Sequence, residues 1–207
     1  MLRALADYPY FNETGMPLGA VTSVPVEGLE PAFARVFGRW LGAHRAEGGA
    51  QVIGEKTPIH VMHMHEIQSI FSSARFVHIV RDAHATIASL KKMPWASNRA
   101  DVNAHLWKRC SNPPRDGIRC YLRIAFEDLI QDPRSSMVAV CEFLEIGFVE
   151  EMLAPEDCVS SDKYVASGEP WKRHSTRPVS SQYVQSQPSD LTDEELAMIN
   201  AVLSERQ

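Results

Sequence analysis

The stretch RFVHIVRDAHATIASL, residues 75–90, leaves a chain few folds to choose from. A short, mostly apolar run, Arg75–Val80 (RFVHIV), is followed after two residues by the spacing and composition of a helix over 83–92. Its mix of Phe, Val and Ile suits a strand buried on both faces. When a strand passes so directly into a helix, the helix packs back over the sheet and the next strand runs parallel to the first. A second candidate strand, RCYLRIAF (119–126), alternates in character, and a helix is expected between the two over 99–109. Pro133 opens another helix whose apolar face is Met137, Val140, Cys141 and Leu144. Strands alternating with helices predict an α/β fold with a mostly parallel sheet flanked by helices.

The remaining segments fit around this unit. LRALA (2–6) reads as a helical tail ending before Tyr8-Pro9, and a loop rich in Gly and Pro covers 15–31. Phe33, Val36, Phe37, Trp40, Leu41 and His44 recur at helical spacing after Pro31, and Gly48-Gly49 closes that helix. A short strand is expected at 51–53, and a helix from Pro58 through about Phe71. Residues 155–190 form a long polar loop rich in Pro and Ser. The last helix, 192–204, is the best marked. Thr192 is its N-cap, Glu195 completes a capping box, and Leu191 with Leu196 forms a hydrophobic staple. With no internal repeat and 207 residues, one domain over 1–207 is expected.

Composition narrows the functional classes. With 44% hydrophobic and 23% charged residues the chain is neither disordered nor collagen-like nor a coiled coil. A formal charge of −5 offers no overall attraction for nucleic acid or an anionic membrane. No run approaches the roughly 18 apolar residues of a membrane span, and the acidic, mixed N-terminus does not read as a signal peptide. The four cysteines (110, 120, 141 and 158) are scattered without a CxxC pair, so they read as reduced thiols in a cytoplasmic protein. Cys120 and Cys141 are expected in the core.

In parallel sheets, ligands bind beyond the carboxyl ends of the strands. Arg81 stands at that end of the first strand, Asp82 can cap the following helix, and Ser89 follows Arg81 by eight positions. A guanidinium fork and helix amides suit a phosphate. The same residues also fit a surface Arg, a structural cap and a solvent-facing Ser. Two other signals are set aside. Gly49–Thr57 nearly spells a Walker A loop, but Glu55 intervenes between Gly54 and Lys56, and the strand would fall inside the loop. His60, His63 and His65, with His78 and His84, lack the common face and the Cys partners of a zinc site.

Taken in order, these segments resemble sulfotransferases that use 3′-phosphoadenosine 5′-phosphosulfate (PAPS) as sulfuryl donor. Gly54-Glu55-Lys56-Thr57-Pro58 is similar to the family's EK(T/S)P segment, and Arg81-Asp82 with Ser89 to its 3′-phosphate-binding segment. Ala125–Leu129, Asp132-Pro133 and Cys141–Leu144 are similar to its "YEDL…DP…FL" stretch, with Phe126 in place of the usual Tyr. The resemblance implies a P-loop-kinase-like fold and transfer of a sulfuryl group to a hydroxyl or amine on a small-molecule or protein acceptor. By position, Arg81 and Ser89 would hold the 3′-phosphate, and Lys56 would meet the charge that builds at the transferring group. Glu13, in a segment similar to the "HP…ET" of the tyrosine-acting branch, would be the general base, although Tyr8 replaces the His. Glu55 would compete with Lys56 in one short loop. Lys172 or Arg173 would touch the donor from the C-terminal loop, or form a plain basic run. No metal is implied.

One hallmark of the family is not in these 207 residues: the glycine-rich loop of the type GxxRSGTT, whose amides cradle the 5′-phosphosulfate. The sequence resembles the family from just after that loop, which predicts an N-terminal truncation that removes the first strand. Turnover is then expected to be impaired, and a non-catalytic nucleotide-binding or interaction protein of the same fold is the rival. Acceptor identity and oligomeric state are not legible.

Overall fold

In the computed structural model, the described residues are 52, 54–93, 96–154 and 190–205. The helices expected at 2–6 and after Pro31, the loop at 15–31 and nearly all of the polar segment 155–190 lie outside them. The chain divides into two compact units, Met1–His60 with His65–Ser73, and Val61–Met64 with Ala74–Gln207.

The second unit carries the sheet. Strand β1 (Phe76–Val80) pairs in parallel with β2 (Tyr121–Ala125), in the register Phe76↔Tyr121 through Val80↔Ala125. The expected α/β architecture is therefore present, with helices flanking a parallel pair. Burial differs from expectation. Val80 is buried, but Ile79, on the opposite face, is 51% exposed, so among the described residues none fully covers that face of β1. On the face it shares with Tyr121, His78 lies with its Nδ1 2.6 Å from the phenol oxygen. Burial, and then the charges of Arg123 and Arg115, hold its pKa below the ordinary histidine value. His78 is thus a sheet-packing histidine.

Helix α2 (Ala83–Leu90) follows β1 and α3 (Ala100–Ser111) precedes β2. Helix α1 (Met64–Ile70) lies earlier in the chain. The expected helix from Pro58 is a 3₁₀ segment, Pro58–His63, that becomes α-helical only at Met64. Its opening bond, His60 N to Thr57 O at 3.0 Å, is the short i→i+3 type. Val52, from the expected strand at 51–53, sits in a bend and is 58% exposed, and its two neighbours lie outside the described residues.

Helix α4 (Phe126–Gln131) starts at once after β2, where the sequence suggested continuing strand. Glu127 and Asp128 in its first turn complement the positive end of the helix dipole. Asp132 caps α5 (Pro133–Leu144) by accepting from the Ser135 amide at 3.0 Å, with Pro133 at the first helical position. Arg75 donates to the Phe143 carbonyl and pairs with Glu145, which ties the start of β1 to the end of α5. Cys141 is buried as expected, whereas Cys120 is only half-buried, because it precedes β2 rather than lying within it.

The core joins α2, α3 and α6 (Asp193–Ser204). Ala83, Ala88, Ala100 and Ala104 supply short side chains that allow close helix approach, and Ile87 and Ile199, both fully buried, fill the space between. The capping box of α6 is present as expected: the Glu195 amide donates to the Thr192 hydroxyl, and the Thr192 amide to the Glu195 carboxylate at 3.0 Å. Lys108 donates to the carbonyls of Val202 and Glu205, at 2.7 and 2.6 Å, at the negative end of α6. Polar contacts lock α6 to α2. Lys91 pairs with Glu195, Lys92 with Asp190, and His84 Nε2 lies 2.9 Å from Asn200 Oδ1.

Lys91 is the main reason the Glu195 carboxyl sits below its ordinary value, followed by the Thr192 amide. A depressed carboxylate stabilises the fold above its unfolded pKa, and that contribution is lost as pH falls through the lower folded value. The thermal midpoint of the wild type is therefore expected to drop on acidification below the ordinary glutamate pKa more steeply than that of Glu195→Gln. Parallel curves for the two in a pH series of melts would contradict the assignment.

Candidate functional site

The strand register sets up the site. Val80↔Ala125 is the last pair of the ladder, so Arg81 and Phe126, then Asp82 and Glu127, leave the sheet side by side. Both pairs meet. The Arg81 guanidinium carbon lies 4.9 Å from the centre of the Phe126 ring, a cation–π stack, and the Asp82 amide donates to Glu127 Oε1 at 2.9 Å. From the helical layer, Trp107 Nε1 donates to the Arg81 carbonyl at 3.0 Å. Arg81 is half-buried, and its side chain and backbone are each held by an aromatic residue from a different helix.

Asp82 caps α2 as expected. Its Oδ1 accepts from the Ala85 amide at 2.9 Å, and its carbonyl accepts from the Thr86 hydroxyl at 2.7 Å. This changes the expected electrostatics of the turn. The amides of Asp82 and Ala85, at the positive end of α2, already serve carboxylates. Those two donors are therefore already engaged at this turn. Ser89 is exposed in the last turn of α2, about 10 Å along the axis from the cap at 1.5 Å per residue. An anion that touches both Arg81 and Ser89 must therefore lie along the flank of α2.

Lys56 belongs to the other compact unit. The Thr57 hydroxyl donates to Glu55 Oε1 at 2.7 Å, and Glu55 Oε2 lies 2.6 Å from His60 Nδ1. The Glu55 carboxylate thus ties the loop to the 3₁₀ turn. Lys56 itself is exposed, and among the described residues none pairs with it. Glu13, Lys172 and Arg173 lie outside the described residues. Among the described residues, no three His, Cys, Asp or Glu side chains come together as a metal site, and no helix is long and apolar enough to cross a membrane.

Phe126, Glu127 and Trp107 are the residues that sequence reasoning missed here. Phe126 stands where the family usually has Tyr, and its ring is what carries the contact with Arg81. The available signal was positional: two parallel strands in register place the residues that follow each of them together.

Comparison with known proteins bears on the family and the fold. Residues 20–150 match the sequence profile described as the sulfotransferase family. A Caenorhabditis elegans protein named "Putative protein-tyrosine sulfotransferase" is 28% identical over 120 residues, covering 52% of this chain and 45% of that protein. Its Caenorhabditis briggsae namesake is 26% identical over 120 residues, covering 52% of this chain and 41% of its own length. The match thus spans less than half of either relative. Among solved structures, the sulfotransferase domain of the Synechococcus PCC 7002 olefin synthase superposes with a TM-score of 0.60 at 18% identity, covering 96% of this chain and 80% of that one. At that identity the likeness speaks for the fold.

Proposed function

The chain belongs to the sulfotransferase family, and from that premise we propose that it binds PAPS and serves transfer of its sulfuryl group to a hydroxyl or amine. The observation that carries this reading is the Arg81 guanidinium, fixed over Phe126 beyond the carboxyl ends of two parallel strands, with Ser89 on the helix that follows. Arg81 supplies the fork for the 3′-phosphate and Ser89 one hydroxyl donor. Lys56 supplies a compact cation for the sulfuryl group as its bond to the nucleotide breaks. Glu13 takes the acceptor proton. The residues present fit an anionic nucleotide whose charge is met by side chains, and no step calls for a metal. The tyrosine-directed names of the two relatives make a phenol on a protein a first acceptor to try.

Lys56 gives a test that needs no acceptor. Adenosine 3′,5′-bisphosphate, the product nucleotide, lacks the sulfuryl group. Lys56→Ala is therefore expected to weaken PAPS binding about tenfold or more, by loss of a bond to a charged group, and to leave the bisphosphate unaffected. Equal losses for both ligands in calorimetric titrations would remove Lys56 from the sulfuryl position.

A further inference from the structure

We infer that Glu127 is a positioning residue for Arg81, acting as a hydrogen-bond acceptor and not through its charge. The inference rests on the nucleotide reading above and extends it. Arg81 is anchored through both its backbone and its side chain by groups from distant parts of the chain. Trp107 Nε1 holds its carbonyl at 3.0 Å, and Phe126 lies under its guanidinium at 4.9 Å. The next residue, Asp82, is fixed through its amide by Glu127 Oε1 at 2.9 Å. Phe126 and Glu127 are consecutive at the start of α4, so the stack and the hydrogen bond form one rigid clamp across the ends of β1 and β2.

A carboxylate beside a phosphate-binding arginine is an odd choice on charge alone. It repels the ligand, and removing it should tighten binding. The geometry explains its presence. The Asp82 amide is the first donor beyond the strand, and an acceptor fixed there sets the angle at which β1 turns into α2. That angle decides whether the Arg81 fork and the Ser89 hydroxyl face the same anion. A ligand that carries no 3′-phosphate does not depend on it.

The two roles of Glu127 have opposite signs, which makes the test decisive. Adenosine 3′,5′-bisphosphate and adenosine 5′-phosphate would be titrated calorimetrically into wild type, Glu127→Ala and Glu127→Gln. Melts of the unliganded proteins would confirm that each variant is folded. Glu127→Ala is expected to weaken the bisphosphate about five- to tenfold, a fraction of what a bond to a charged group carries, and to leave the 5′-phosphate unchanged. Glu127→Gln keeps the acceptor and drops the charge, so it should bind the bisphosphate at least as tightly as wild type. Phe126→Tyr should retain binding and Phe126→Leu should weaken it. Tighter or unchanged bisphosphate binding by folded Glu127→Ala would overturn the positioning role while leaving the nucleotide reading intact. Equal weakening of both ligands would likewise show a general structural role. Failure of the wild type to bind the bisphosphate would remove the nucleotide reading, and this inference with it.

Discussion

Arg81→Ala is expected to bind adenosine 3′,5′-bisphosphate about 10- to 100-fold more weakly than wild type, which corresponds to the roughly 1.5–3 kcal/mol of a hydrogen bond to a charged group. The upper end is favoured because a guanidinium donates in a fork, and because Trp107 and Phe126 fix the residue before the ligand arrives. Arg81→Lys should recover only part of the loss. An ammonium keeps the charge but gives up the bidentate geometry and much of the stacking on Phe126. Ser89→Ala should cost less than either, since one exposed neutral hydroxyl is lost. Equal affinities for wild type and Arg81→Ala would remove Arg81 from the 3′-phosphate.

The second large effect is on stability. Ile87→Ala is expected to destabilise the chain by about 3–5 kcal/mol, the upper part of the range for such truncations in cores. The surroundings account for the high value. Ile87 is fully buried among Ala83, Ala88, Ala100 and Ala104, whose methyl groups are too short to fold into the space it leaves. Among the described residues, the larger buried side chains of this cluster besides Ile87 are Leu191, Ile199 and Val202, at or before the start of α6 and within it. Urea unfolding checks this through the midpoint, with the slope unchanged. A cost below about 1 kcal/mol would mean that the site collapses readily and that the three helices are not closely packed. Because Arg81 stands at the threshold of α2 and Ser89 in its last turn, loss of this packing should also loosen nucleotide binding.

Much of this was legible in the sequence because the signals were local. The strand-to-helix junction at 80–83, Asp132-Pro133 and the capping box of Thr192 with Glu195 each depend on residues within a turn of one another. The parallel pairing followed from the order of elements. The exposure of Ile79 was not legible, because whether a strand is covered on its second face depends on what packs there. Helix α4 was hidden by the alternation of RCYLRIAF, which runs on through Phe126 although the backbone turns at Ala125. At the proposed site, Arg81 and Ser89 are suggested by position and by resemblance. The clamp of Phe126 and Glu127 was not, since it arises from a register that joins residues 45 positions apart in sequence.

The central claim is that the flank of α2 recognises a 3′-phosphate through Arg81 and Ser89. Its most direct test is a pair of calorimetric titrations on the wild-type chain with two nucleotides that differ only in that group, adenosine 3′,5′-bisphosphate and adenosine 5′-phosphate. The expected result is that the bisphosphate binds tighter by about tenfold or more, as one charge-assisted contact requires. Equal affinities, or binding of neither, would contradict it.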